Sequence, residues 1–396
     1  MRDRKGRDLI VAGLFLAMLV GASAGALWYL DARARRADSL PILHYEQPVF
    51  SEDESRVAYF RLLVPPGSDD YTTRQLWWTH RLGDERRLVA EFPPSDLRLL
   101  AWVERDSSIL LLPPQPPEGP PTLIQVAVDG SFRRTIRFAQ PALKLVGVRQ
   151  GEVFFQRPAP GGVELLSWHP GQRAFQSITR FPASAGEQLE LEEVAPSPDG
   201  RLLSVVICTG EPPSRGVWLY DRDRRALRYT FVSTEGVALR TAWSSDSRGL
   251  VAAAELAGRC ELYLVEDLDT GQFTRLSAPA RTACVPFWPR DADHFLLLED
   301  NTVRSFHRRG ILAEKLLDRV RAGRTLEDLA VSSRGNWAAY HSRFGPVDDL
   351  YVVSLKTNQT RSLVPPGMRR ELQQTLWYQI GSGTRYAMTC WTGAGD

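Results

Sequence analysis

The sequence has few of the residues that usually build reactive centres. Six histidines (His44, His80, His169, His294, His307, His341) are scattered over 396 residues. None stands in an HExxH pair or any other ligand spacing, so no metal centre can be read from them. From residue 40 onward there is no G-x-S-x-G, which excludes a serine hydrolase built on that nucleophile elbow; Gly381-Ser382-Gly383 reads as a turn. An excess of charge is also missing: 49 Lys and Arg face 47 Asp and Glu. Residues 1–36 hold seven of the basic and three of the acidic groups, which leaves 42 against 44 in the remainder. A body this close to neutrality lacks the basic footprint of a nucleic-acid binder, and no nucleic-acid partner is expected. No catalytic, cofactor-binding or metal-ligating residue is assigned, and no cofactor is implied.

Long apolar runs are absent too, with one exception. Leu9 to Leu30 carries no charge and is long enough to cross a bilayer as a helix. Arg2, Arg4, Lys5 and Arg7 precede it, which favours keeping that end in the cytoplasm. The expected organisation is a basic cytoplasmic tail (1–8), a transmembrane signal-anchor helix (9–30), a linker (31–39) and a body (40–396). Trp28 and Tyr29 suit the outer membrane interface. A second reading takes Leu9–Gly21 as the apolar core of a removed signal peptide, with Ala22-Ser23-Ala24 or Ala24-Gly25-Ala26 as the cleavage site. Both readings put the body outside the cytoplasm, in the periplasm or beyond, and the first tethers it to the bacterial inner membrane.

The body holds one plausible helix, around Ala313–Ala322, and otherwise reads as strands and turns. The stretch "VAPSPDGRLLSVV" (194–206) sets the pattern, because Asp-Gly between two apolar segments is a strong hairpin signal. Related turns fall near Asp53, Asp106, Gln150, Asp199, Asp246, Asp291, Arg334 and Ser382, 43 to 53 residues apart. A second hairpin follows in each interval, as in "ELYLVEDLDTGQFTRLS" (261–277) and "LIQVAVDGSFRRTIRF" (123–138). Four strands (a, b, c and d) at a period near 45 residues are the mark of a β-propeller blade. One residue of each a strand occupies a common register: Phe50, Trp102, Pro196, Trp243, Trp288, Val331 and Trp377. Large rings there are expected to wedge between adjacent blades rather than form an aromatic cage.

These features resemble the TolB-like, WD-repeat-like propeller family. The match is carried by Ser197-Pro198-Asp199-Gly200, by Trp243-Ser244-Ser245-Asp246, by Leu262-Tyr263 through Asp267-Leu268-Asp269-Thr270-Gly271, and by Leu350-Tyr351. The resemblance implies an all-β propeller of four-stranded blades from about residue 40. Eight blades are favoured, the last a composite in which "LPILHYEQ" (40–47) lies beside 384–391; seven is the alternative.

For the site, the pattern points to a face rather than to residues. Strands a and b meet at one face, and the b–c loops and d–a crossings lie at the other. That second face carries the proline-rich insertions at 64–74, 113–121, 158–162 and 209–216, and loops on a rigid scaffold are where binding concentrates. Near the channel the acids noted are Glu104 and Glu193. The "DADH" at 291–294 and "DLDTG" at 267–271 read as turns rather than cation sites. Cys208 and Cys390 fall inside b strands as small buried residues. Cys260 and Cys284 fall at strand ends on the loop face of adjacent blades. There a disulfide would close about 24 residues and contribute about 3 kcal/mol if unstrained, the alternative being two free thiols. Two functions follow: a non-catalytic, membrane-tethered scaffold that binds protein partners in the bacterial envelope, or an envelope enzyme acting on peptide or glycan through a channel site the sequence does not display.

Overall fold

The computed structural model describes Gly25 and residues 42–363, apart from short stretches of which 309–324 is the longest. The described residues form seven antiparallel sheets in chain order, six with four strands and one, at 284–307, with three. Each sheet is a simple up-and-down meander, and the first strands of successive sheets from the first to the sixth, and of the seventh and the first, lie against one another. The chain is therefore an all-β propeller, with the first strand of every blade innermost.

The a–b turns near Asp53, Asp106, Asp199, Asp246 and Arg334 form where the sequence places them; those near Gln150, Asp291 and Ser382 fall on residues outside the described ones. In four of the five the residue that makes the turn is serine. Ser197 donates its amide to the carbonyl of Leu202 at 2.8 Å. Its hydroxyl accepts the Leu202 amide at 2.9 Å and donates to Asp199 Oδ1 at 2.5 Å. Asp199 in turn accepts the amide of Arg201 at 3.0 Å. Ser51 with Asp53 and Ser244 with Asp246 repeat this arrangement. Such side-chain bonds satisfy amides that a tight turn leaves without ladder partners. All four turn serines (Ser51, Ser197, Ser244, Ser332) are buried.

Stability comes from between the blades. Phe60, Leu76 and Trp78 of the first blade interlock with Leu99, Trp102 and Ile109 of the second. Similar clusters join the second to the third, the third to the fourth, and so on through the sixth. Each such side chain contributes roughly 1.5–3 kcal/mol by leaving water. Of the expected wedges, Trp102, Trp243 and Trp288 are buried in these seams, and Phe50 is buried between the first blade and the last. The Trp102 and Trp243 indoles also donate to the carbonyls of Val49 and Ala195 one blade back, at 2.9 and 2.8 Å. Trp377 lies outside the described residues.

Two expectations are corrected. The ring does not close through an eighth, composite blade, because the first blade packs directly on the blade at 325–362. Leu43, Tyr45 and Tyr59 pack there with Ala339, Leu350 and Val352. Glu54 accepts the Arg334 amide and the Asn336 side-chain amide, each at 2.7 Å. Nor is 40–47 an outer strand. Ile42–Phe50 is one continuous innermost strand paired with Arg56–Val64, with a bulge between Glu46 and Val49. Pro48 cannot donate to a ladder, and it sits in that bulge, where no donor is needed. The segment 384–391 expected in the eighth unit and the apolar run 9–30 apart from Gly25 lie outside the described residues. Among the described residues no helix is long and apolar enough to cross a membrane.

Candidate functional site

Bulges recur in the innermost strands, and in the fourth blade the bulge builds a site. Strand Leu189–Pro196 shifts register between Leu191 and Glu193, leaving Glu192 without a cross-strand partner. An extra residue re-aims its neighbours, so "LELEEV" presents Glu190, Leu191 and Glu192 in succession to one concavity and turns Glu193 towards Thr241 of the next blade. The strand Lys144–Arg149 on one side brings Lys144, and the strand Gly236–Trp243 on the other brings Arg240. Arg215 enters from Ser214–Asp221, just past the proline-rich b–c loop at 209–214.

Glu190, Glu192, Lys144, Arg215 and Arg240 line a cavity of about 290 Å³ with Leu145, Leu191 and Leu239. Its charges are matched in pairs. Arg215 grips Glu192 with two bonds, Nε to Oε2 and Nη2 to Oε1, each 2.8 Å. Lys144 pairs with Glu190. Arg240 reaches Glu193 more loosely, at 3.4 Å. The other oxygen of Glu193 accepts the Thr241 amide at 3.1 Å and the Thr241 hydroxyl at 2.9 Å. That amide belongs to the inner edge of the next blade, so Glu193 stitches the ring and holds Arg240 beside the site.

Cys208 stands beside this cluster, opposite Glu190 on one side and Arg215 on the other. It is half-buried rather than buried and forms no disulfide. Burial, and then the Glu192 carboxylate, push its thiol up from the ordinary value. A thiol held in that form is a poor nucleophile. Conversely, the hydrogen bond to Glu192 raises the Arg215 guanidinium further, which fixes the fork as an ion pair.

Of the two acids noted near the channel, Glu193 stands next to this cavity, paired with its lining residue Arg240. Glu104 is elsewhere: it sits in an a–b turn with φ of 53° and accepts the Ser108 hydroxyl at 3.1 Å. Glu190, Glu192, Lys144, Arg215 and Arg240 read in sequence as the solvated side of ordinary strands. The available signal was three glutamates within four residues of an innermost strand. Cys260 lies in the third strand of the fifth blade and Cys284 opens the innermost strand of the sixth; their side chains fall outside the described residues. So do Trp28 and Tyr29. Among the described residues no three His, Cys, Asp or Glu are grouped to hold a metal ion.

No protein-family profile matches the chain, and no curated protein does. Solved structures do. A prolyl endopeptidase superposes with a TM-score of 0.56 at 15% identity, covering 88% of this chain and 54% of its own. An oligogalacturonate lyase, solved in complex with manganese, gives 0.53 at 12% identity over 83% and 92%. TolB from Acinetobacter baumannii gives 0.41 at 12% identity, over 68% of each chain. This chain thus spans about half the length of the prolyl endopeptidase. At such identities the likeness shows the propeller fold alone, and folds of this kind host unrelated functions.

Proposed function

We propose that the protein is a non-catalytic, membrane-tethered β-propeller of the bacterial envelope that binds partner proteins through its b–c and d–a face. The observation that carries the reading is the axial cavity on that face, where each charged side chain is paired with an opposite charge. General acid–base or nucleophilic chemistry needs a group poised to give or take a proton. Here Glu192 is committed to the Arg215 fork, and the nearby thiol is pushed away from its reactive form. Paired charges on a rigid ring suit recognition instead, because complementary charge sets register and partner choice. Tethering rests on the apolar run 9–30 and the basic residues before it.

The test is site-specific photo-crosslinking in intact membranes. A photoreactive residue at Asp70 or Pro213, both exposed on the loop face, should yield partner adducts. One at Asp129, exposed in a c–d turn of the opposite face, should not. Adducts from Asp129 alone would place the binding surface on the wrong side. Protease added to intact spheroplasts should digest the body, and full protection would reverse the orientation.

A further inference from the structure

We infer that the cavity at the inner ends of the third, fourth and fifth blades receives a carboxylate of an acidic peptide, held between Lys144 and Arg240. The inference rests on the partner-binding reading above and names what that face recognises.

The argument turns on which ion pairs can open. Lys144 and Glu190 are 56% and 49% exposed, and a pair so exposed is worth only about 0–1 kcal/mol. If Lys144 swings to a ligand, Glu190 is left to water. Arg240 is 51% exposed and its partner Glu193 only 13%. Glu193 nevertheless keeps the amide and hydroxyl of Thr241 when Arg240 departs, so no buried acid is stranded. Two cations are therefore available at little cost. Arg215 is not, since it is 15% exposed and bonded twice to a Glu192 that is itself 25% exposed. It forms the fixed wall against which the two movable cations work.

Size selects the occupant. At about 290 Å³ the cavity lies at the small end of the roughly 300–1,000 Å³ typical of ligand sites. That admits one acidic side chain or a small free acid, and excludes an oligosaccharide. Leu145, half-buried in its lining, offers an apolar surface to the methylenes of such a side chain. A free acid would gain only the two exposed pairs, whereas a peptide can also run along the b–c loops beside Arg215. Glu190 competes with the ligand for Lys144, which gives the inference a distinctive signature.

The experiment uses the full-length protein in an uncharged detergent and a fluorescein-labelled tetraglutamate peptide followed by anisotropy. Tetraglutamine serves as the control, and succinate as the competitor. Saturable binding of tetraglutamate but not tetraglutamine is expected, weakening with salt. Lys144→Gln and Arg240→Gln should each weaken it about tenfold, as loss of a charge-assisted contact does. Glu190→Gln should tighten it about threefold by releasing Lys144 from an exposed pair. No binding, unchanged affinity in both cation variants, or weaker binding in Glu190→Gln overturns the inference. Succinate competing as well as the peptide overturns the peptide assignment in favour of a small free acid. Each variant is first checked for an unchanged thermal melt, and Lys144→Arg, which keeps the charge, should bind nearly as wild type. Failure here with the Asp70 and Pro213 adducts retained leaves partner binding standing. Loss of those adducts with tetraglutamate binding intact sinks partner binding instead.

Discussion

Ser51, Ser197, Ser244 and Ser332 hold the same post in four blades. In each, the hydroxyl accepts the amide five residues on; in the first three it also donates to the aspartate two residues on. The aspartates answer electrostatically. Burial would raise the Asp53 carboxyl, but hydrogen bonds from Ser51 and Ser55 and the Arg56 charge outweigh it and hold it at about 2. Asp199 and Asp246 are lowered in the same way, burial again opposing and the serine bond prevailing. A carboxyl whose folded pKa is depressed contributes stability that is fully present above its unfolded value, near 3.9, and is lost as pH falls through the folded one. Asp53→Asn should therefore lower the melting temperature most above about pH 5, with the difference shrinking between about pH 4 and pH 2. A difference that stays constant from pH 7 to pH 2 would show that the charge of Asp53 is not what the turn uses. At this scale the cysteines also give a countable outcome. A Cys260–Cys284 bridge leaves two reactive thiols in the denatured, unreduced protein, and four would mean that no disulfide forms.

Strands in this molecule are shaped by their irregularities. The innermost strands of blades one to five and of the last all shift register once, as do the outermost strands of blades one, three and four, and the outermost pairing of blade five shifts twice. Each bulge adds local twist, which lets flat meanders become propeller blades. The tight b–c hairpin of the third blade shows how little room is left. Gly162 has φ of 152°, and a Cβ there would stand 2.0 Å from the Phe181 carbonyl oxygen. Its neighbour Gly161 also has positive φ, 70°, but a Cβ would meet nothing within 4 Å. Gly161→Ala should cost only the left-handed backbone penalty, about 1–2 kcal/mol. Gly162→Ala adds a clash with a ladder strand, about 1–3 kcal/mol more by analogy with overpacking. Urea denaturation of the two variants side by side checks the order, and equal losses would contradict the close approach.

At the scale of the whole ring, closure is non-covalent and concentrated at one seam. Glu54 is 4% exposed, and its two carboxylate oxygens tie the first a–b turn to the last. Hydrogen bonds to charged groups of this kind contribute about 1.5–3 kcal/mol. Glu54→Ala should lose about that much and raise hydrogen exchange first in Ile42–Phe50 and Thr325–Val331. Glu52, whose side chain is exposed and whose backbone carbonyl alone meets Ser333, supplies the control: Glu52→Ala should leave exchange at the seam unchanged.

The sequence by itself determined the architecture, since period, turn chemistry and binary pattern are local properties of each 45-residue unit. That is why the a–b turns near Asp53, Asp106, Asp199, Asp246 and Arg334 and the inter-blade rings were legible, including the tryptophans at one register. What only the tertiary structure decided was everything that depends on neighbours distant in the chain. The number of blades follows from which surfaces meet when the ring shuts, and Ile42–Phe50 meets the strands around residues 325–353, nearly three hundred positions away. The charged cavity follows from a bulge at Glu192 that turns an alternating pattern off its period, and from Lys144, Arg215 and Arg240 arriving on three different blades. Strand periodicity reports which side of one strand a residue faces; it does not report which residues of other strands share that side.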